Sequence, residues 1–372
     1  MIPLAEVIAR FEADYLRQYG HVLLPSQRQA LAAMKQCRTV LAPRMLAACG
    51  ACDETRLVPH SCGHRSCPHC QHHASQQWLE RQLKRQVPAD YFLLTFTVPA
   101  ELRKLAWQHQ RAFYAALFDC AWATVNRFSR NDKHLQGCPG AVAVLHTHSR
   151  RLDYHPHVHL VMPAAALDKE HGRWRTKPRR GKRGKPGHGY LFNHRALAKV
   201  FRAKVLAALA AEGLTLPVGV TAEWVVDCKG VGNGEKALVY LGRYLYRGVI
   251  QEKDILACEN DQVRFRYRDS QTGKNSVRTV SGAAFLQLVL QHVLPKGFRR
   301  ARNYGFLHPN SKTLIALLQV VLKVVPSPTL VKPRPPFTCP CCGAPMRVVR
   351  RRIPPPGVTR PQDAGTTEGV AV

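Results

Sequence analysis

Acidic side chains are scarce in this chain: 24 Asp and Glu stand against 55 Lys and Arg in 372 residues, a formal net charge of +31. A compact fold with that charge repels itself unless a polyanion offsets it, which points to nucleic acid as the partner. Long apolar runs are missing as well. No window reaches the ~20 consecutive apolar residues of a membrane span, which excludes a spanning helix. The opening segment MIPLAEVIARFEADYLRQYG lacks the basic and apolar regions of a secretory signal. These absences predict a cytoplasmic, nucleoid-associated protein with no membrane partner. No internal repeat is visible, which excludes a repeat array. The 18 histidines and five tryptophans fit poorly with a simple basic tail protein.

Residues 1–48 read as two helices, from the apolar spacing in PLAEVIARFEADYL and QALAAMKQCRTVLA. A loop-rich cysteine cluster follows, then a helix over 73–87 that stops before Pro88. The aromatic and β-branched run 91–99 reads as a strand closed by Pro99. Helical spacing over 101–129 precedes two strands, AVAVLHTH (141–148) and HPHVHLVMP (155–163), joined by the loop SRRLDY. A polar insert spans 172–189. A helix over 194–213, a strand over 220–228 and a glycine-bounded helix over 232–248 come next. The runs 262–269 and 275–281 read as a hairpin, and 283–295 as a helix. The tail 353–372 is expected to be disordered. The resulting class is α+β, with domains at 1–88, 89–307 and 308–372.

The thirteen cysteines cluster, with five between Cys49 and Cys70 and three between Cys339 and Cys342. In a reducing compartment such clusters read as metal ligands rather than disulfides. Cys49-Gly-Ala-Cys52 and Cys67-Pro-His-Cys70 are two C-x-x-C pairs separated by fourteen residues, close to a zinc-ribbon spacing. Cys49, Cys52, Cys67 and Cys70 are therefore the expected ligands of a structural zinc, with Cys62, His60, His64 or His69 able to replace one of them. The group Cys339-Pro-Cys-Cys342 is a single knuckle, and zinc there requires ligands from elsewhere in the chain.

His157-Val158-His159 lies in a strand, so both imidazoles share one face while Val158 turns to the core. If the two strands pair about SRRLDY, positions summing to 303 stand opposite one another. His146 then faces His157, and His148 faces His155. His146 becomes the third ligand of a metal, with His148 in reserve. Tyr240 and Tyr244 sit four apart on a helix, so both phenols reach one site. Tyr246 points elsewhere. Tyrosine is a weak nucleophile near its free pKa of about 10, and Lys236, one turn before Tyr240, is placed to favour its phenolate. Arg243 and Arg247 on the same helix, and Arg179, Arg180, Lys182 and Arg183 in the insert, are candidate DNA contacts.

Taken together these segments resemble the HUH endonucleases, and within them the two-tyrosine rolling-circle transposases of the IS91 insertion-sequence family. The resemblance runs through SCGHRSCPHCQ, FTVPAEL, AVLHTHSRRLDYHPHVHLVMP, EWVVDCKGVGNGEKALVYLGRYLYRGVI and HVLPKGFRRARNYGFL. It implies a central antiparallel sheet flanked by helices, preceded by a helical and zinc-ribbon module. It implies magnesium or manganese on His157 and His159, and Tyr240 and Tyr244 as the tyrosine pair. The implied activity is nicking and rejoining of single-stranded DNA at element ends through a 5′-phosphotyrosine, compatible with self-association. The alternatives are a plasmid relaxase or replication initiator with the same chemistry, and a non-catalytic zinc-ribbon nucleic-acid-binding protein.

Overall fold

The computed structural model of the chain describes residues 1–177, 191–246, 248–269, 272–324 and 337–355. Helices α1 (Leu4–Tyr19) and α2 (Pro25–Gln36) lead to strands β1 (Arg44–Cys49) and β2 (Thr55–Pro59) and helix α3 (His72–Leu83). Strand β3 (Tyr91–Thr97) and helices α4 (Arg103–Gln108) and α5 (Gln110–Asn131) precede strands β4 (Cys138–His148), β5 (Tyr154–Pro163), β6 (Ala165–Asp168) and β7 (Arg173–Thr176). Helix α6 (His194–Ala211), strand β8 (Val226–Gly230) and helix α7 (Glu235–Tyr246) follow. The remaining elements are β9 (Ile255–Glu259), β10 (Gln262–Arg268), β11 (Asn275–Ser281), α8 (Gly282–Leu290), β12 (Ala301–Gly305), α9 (Lys312–Val321), β13 (Phe337–Thr338) and β14 (Pro345–Ile353). The class is α+β, as the sequence implies, and no described helix is long and apolar enough to cross a membrane.

The hairpin β4–β5 is the spine of the molecule, because alternation lets both of its faces be covered. Leu145, Val158 and Leu160 face one way, into a core with Phe96, Phe113, Leu117 and Phe201 from β3, α5 and α6. Val142, Val144 and Val161 face the other way, under Trp78 of α3 and Leu238, Leu241 and Leu245 of α7. β3 pairs with β5, β8 with β3, and β12 with the outer edge of β4, all antiparallel. Strand β8 starts later than the expected 220, because its partner limits it. β3 ends at Thr97, two residues before Pro99, and the last ladder pair is Phe96 with Val226.

Strand β12 and the hairpin β13–β14 carry little apolar alternation, and the sequence reading gave no sign of them. Trp174, expected in a polar loop, lies in β7 and packs edge-on against Phe306, with ring centroids 5.3 Å apart. Arg179, Arg180, Lys182, Arg183 and Arg247 lie outside the described residues, as does most of the tail.

Helices α1 and α2 pack on the three-stranded sheet β9–β10–β11 and on α8, where Val7, Ile8, Phe11 and Leu31 meet Phe265, Phe285 and Leu286. Phe11 lies so close to the start of α8 that a Cβ on Gly282 would stand 2.1 Å from its ring. That ring is fully buried and has nowhere to retreat. Gly282→Ala should therefore destabilise the protein by about 2 kcal/mol through overpacking. Urea unfolding measures this, and an unchanged midpoint would show that the two helices are not held in this contact.

Candidate functional site

The register of the spine decides which histidines meet. Val144 pairs with His159 and His146 with His157, and a bulge then shifts the ladder so that His148 faces Tyr154. The expected pairing of His148 with His155 is thereby corrected. The extra residue turns His148 toward α7, while His155 lies 3.1 Å from the Arg103 guanidinium. His146, His157 and His159 converge, with one ring nitrogen of each within 4.8 Å of the others.

The outer nitrogens of two of them are spoken for. His157 Nδ1 donates to the His155 carbonyl at 2.7 Å, and His159 Nδ1 lies 3.0 Å from Thr95 Oγ1. The bond to a carbonyl fixes the His157 tautomer and leaves its opposite nitrogen as a lone-pair donor, and the Thr95 hydroxyl completes the same arrangement at His159 when it accepts. His146 Nε2 is buried without any hydrogen-bond partner among the described residues. A buried imidazole nitrogen is normally satisfied, and a cation bound by the triad would satisfy it. Burial first, and then the neighbouring rings, hold His146 and His159 well below the ordinary imidazole range, and burial takes His157 to about 4. All three are thus kept in the neutral form that binds metal.

Helix α7 carries both tyrosines to this face, but in different states. Tyr244 stacks on His146 at 3.4 Å between centroids and on His148 at 4.7 Å. Its hydroxyl donates to the His148 carbonyl at 3.2 Å and lies 3.0 Å from His148 Nδ1. Tyr240 lies 6.3 Å from the His146 ring and 6.2 Å from the His159 ring, and is 46% exposed. Burial raises both phenols' pKa; Arg150 opposes this at Tyr240, and Arg300 first of all at Tyr244. The spacing alone assigns that part to Lys236, which is exposed and lines a shallow groove beside Tyr240. Arg243 is exposed on the same helix.

The cysteines divide in a way that local spacing did not indicate. Cys67 and Cys70 gather with Cys62 and with Cys37 at the end of α2. Cys49 and Cys52 gather instead with Cys339 and Cys342. The four expected ligands therefore do not share one site: each C-x-x-C pair is completed by cysteines from elsewhere. Of the proposed substitutes, Cys62 joins the first group, while His69 pairs with Glu252 and His64 Nδ1 accepts from the Ser66 amide. Cys37 gave no signal, since it stands alone and far from any knuckle.

Sequence reading also passed over a cleft of about 1130 Å³ that runs past Leu245 at the end of α7. Arg65, Arg81, Arg85, Arg111, Arg299, Arg300 and Arg302 line it. Arg300 donates to the carbonyls of Leu145 on β4 and Leu245 on α7, at 3.2 and 3.3 Å, and so ties the histidine strand to the tyrosine helix. Its Nη2 is buried and has no partner among the described residues. The signal was present in the run KGFRRARNYG, but which of its arginines turn inward depends on β12.

A basic chain with a three-histidine cluster, two thiol clusters and an arginine-lined cleft has the makings of a metal-binding protein that handles a polyanion. Residues 140–313 match the family described as "Putative transposase", and residues 7–98 the family described as "Transposase zinc-binding domain". Over 326 residues the chain is 33% identical to the putative transposase y4qJ of Sinorhizobium fredii, covering 79% of each. Over 326 residues it is 30% identical to the transposase for insertion sequence element IS801 of Pseudomonas savastanoi pv. phaseolicola, covering 80% of this chain and 77% of that one. No solved structure matches it. The chain belongs to the IS91-type transposases, and DNA is accordingly its partner.

The two tyrosines should differ in what their hydroxyls contribute to folding. Tyr244→Phe loses a partly buried hydrogen bond and should cost about 1 kcal/mol. Tyr240→Phe removes an exposed hydroxyl and should stay within a few tenths of a kcal/mol, since surface changes away from such bonds are usually small. Thermal unfolding of the two variants makes the comparison, and equal losses would overturn the assignment of their environments.

Proposed function

We propose that this transposase nicks and rejoins single-stranded DNA at the ends of its element through a 5′-phosphotyrosine, with Tyr240 attacking first and Tyr244 serving the second transfer. The observation that carries this reading is an exposed phenol about 6 Å from two rings of a neutral histidine triad with an unsatisfied buried nitrogen. Magnesium or manganese held by His146, His157 and His159 would polarise the scissile phosphate and offset its charge.

In the cleavage step the Tyr240 oxygen bonds to phosphorus as the bond from phosphorus to the 3′-oxygen breaks. The phenolic proton passes to solvent, and the departing 3′-oxygen takes up a proton to become a hydroxyl. No water is consumed, so the phosphodiester is conserved for rejoining. Arg150 supports the attacking phenolate against the cost of partial burial. Tyr244 is stacked and hydrogen-bonded, so it must leave His148 before it can attack, which delays it until the first adduct exists. The cysteine group Cys37, Cys62, Cys67 and Cys70 would hold the zinc of the matched zinc-binding region, which contains all four residues.

Incubation with a single-stranded end oligonucleotide and manganese should give a covalent adduct that mass spectrometry maps to Tyr240. Tyr240→Phe should reduce it at least a hundredfold, and the double variant with Tyr244→Phe should abolish it. Tyr246→Phe should retain it. His157→Ala with His159→Ala should remove metal-dependent adduct while leaving DNA binding nearly intact. Adduct on Tyr246, or undiminished adduct in the histidine variant, would sink the mechanism.

The cleft offers the single strand a path. Each phosphate contact on a single strand contributes ~0.7 to the slope of log affinity against log salt. Replacing Arg81 and Arg85 together by Ala should lower that slope by roughly 1.4, two contacts at ~0.7 each. Deleting residues 178–190, with Arg179, Arg180, Lys182 and Arg183, should flatten it further. A slope unchanged in both variants would place the DNA elsewhere.

A further inference from the structure

The matched zinc-binding region contains the whole of the first cysteine group but only half of the second. The other half, Cys339 and Cys342, lies beyond both matched regions. The geometry points to a second structural zinc, bound by Cys49, Cys52, Cys339 and Cys342, that clamps the C-terminal hairpin onto the N-terminal one.

The two halves are built alike. In the first, the Cys49 amide donates to the Glu54 carbonyl at 2.8 Å; in the second, the Cys339 amide donates to the Ala344 carbonyl at 2.8 Å. Each knuckle is followed at once by a residue in the left-handed region, Asp53 at φ 57° and Gly343 at φ 72°. The same tight turn thus presents two sulfurs twice, once from each end of the chain. Sγ of Cys49 lies 3.6 Å from that of Cys342, and Sγ of Cys52 lies 3.6 Å from that of Cys339. All four sulfurs fall within 4.8 Å of one another, as a tetrahedral four-thiolate shell requires.

The strands agree with the sulfurs. β1 pairs antiparallel with β14, Cys49 standing opposite Met346, in a four-stranded sheet ordered β13–β14–β1–β2. The apolar core of this sheet is very small: Ala47, Cys49, Cys339 and Met346 are its buried members, with Val58, Phe337 and Ala344 packed against them. So little buried surface does not hold two hairpins together, and a metal supplies what the core lacks. Four thiols packed this closely and not joined by disulfides have an obvious occupant in a thiophilic cation.

Native mass spectrometry of the full chain, purified under reducing conditions, tests the site, together with alkylation of the cysteines. Two zinc ions per chain are expected, falling to one in the variant carrying Cys339→Ser and Cys342→Ser. In the unaltered protein Cys341, which is exposed and outside the group, should alkylate at once. Cys49, Cys52, Cys339 and Cys342 should resist until a chelator removes the metal. The alkylation pattern and the zinc count of the unaltered chain stand even if the variant fails to fold. One zinc per chain, a pair of disulfides in place of the metal, or Cys339 and Cys342 alkylating as fast as Cys341 would each overturn the clamp.

Discussion

Three imidazoles crowded onto one face of a sheet, with one nitrogen left unsatisfied in the interior, are the constraint on which the rest of the site depends. Water would satisfy each ring individually, so bringing them together under α7 carries a desolvation cost. The surroundings keep that cost tolerable by keeping the rings neutral and by orienting two of them through Thr95 and the His155 carbonyl. A bound cation would then be the partner that the buried His146 nitrogen lacks. The sheet must be rigid to hold this geometry, which is consistent with the spine being covered on both faces and paired along both edges.

Strand alternation made the centre of this arrangement legible in advance. The sum rule for the hairpin held from Val144 and His159 to His146 and His157, because turn and hydrophobic pattern together fix register. It failed one step later, where a bulge replaced the partner of His148. Bulges leave almost no mark in sequence, yet this one lets His148 bond the Tyr244 hydroxyl. The helix face shared by Tyr240 and Tyr244 was equally readable from their spacing. Their different exposure was not, because it is set by the rings beneath them rather than by the helix.

The cysteines show where local reasoning fails. Spacing identifies a knuckle, since two sulfurs on one tight turn are a local matter. It cannot say which knuckles meet, because that depends on chain segments brought together from far apart. Cys49 and Cys52 looked like the mates of Cys67 and Cys70 only because they were near in sequence. Their sulfurs instead meet those of Cys339 and Cys342, across 287 and 293 positions of chain. Strand β14 carries that long-range information, and its run MRVVRRRI shows no strand alternation of its own until β1 supplies the ladder.

Arg300 shows how the local and long-range parts join. It sits immediately before β12, the strand that pairs the free edge of β4, and it bonds a carbonyl on β4 and another on α7. The same guanidinium therefore positions the tyrosine helix over the histidines, opposes the upward pull of burial on the Tyr244 phenol, and stands in the wall of the arginine-lined cleft. Its Nη2 is buried and has no partner among the described residues. Positioning and charge are thus combined in one residue, and a nucleic-acid strand held in the cleft would bear directly on the element that carries the nucleophiles.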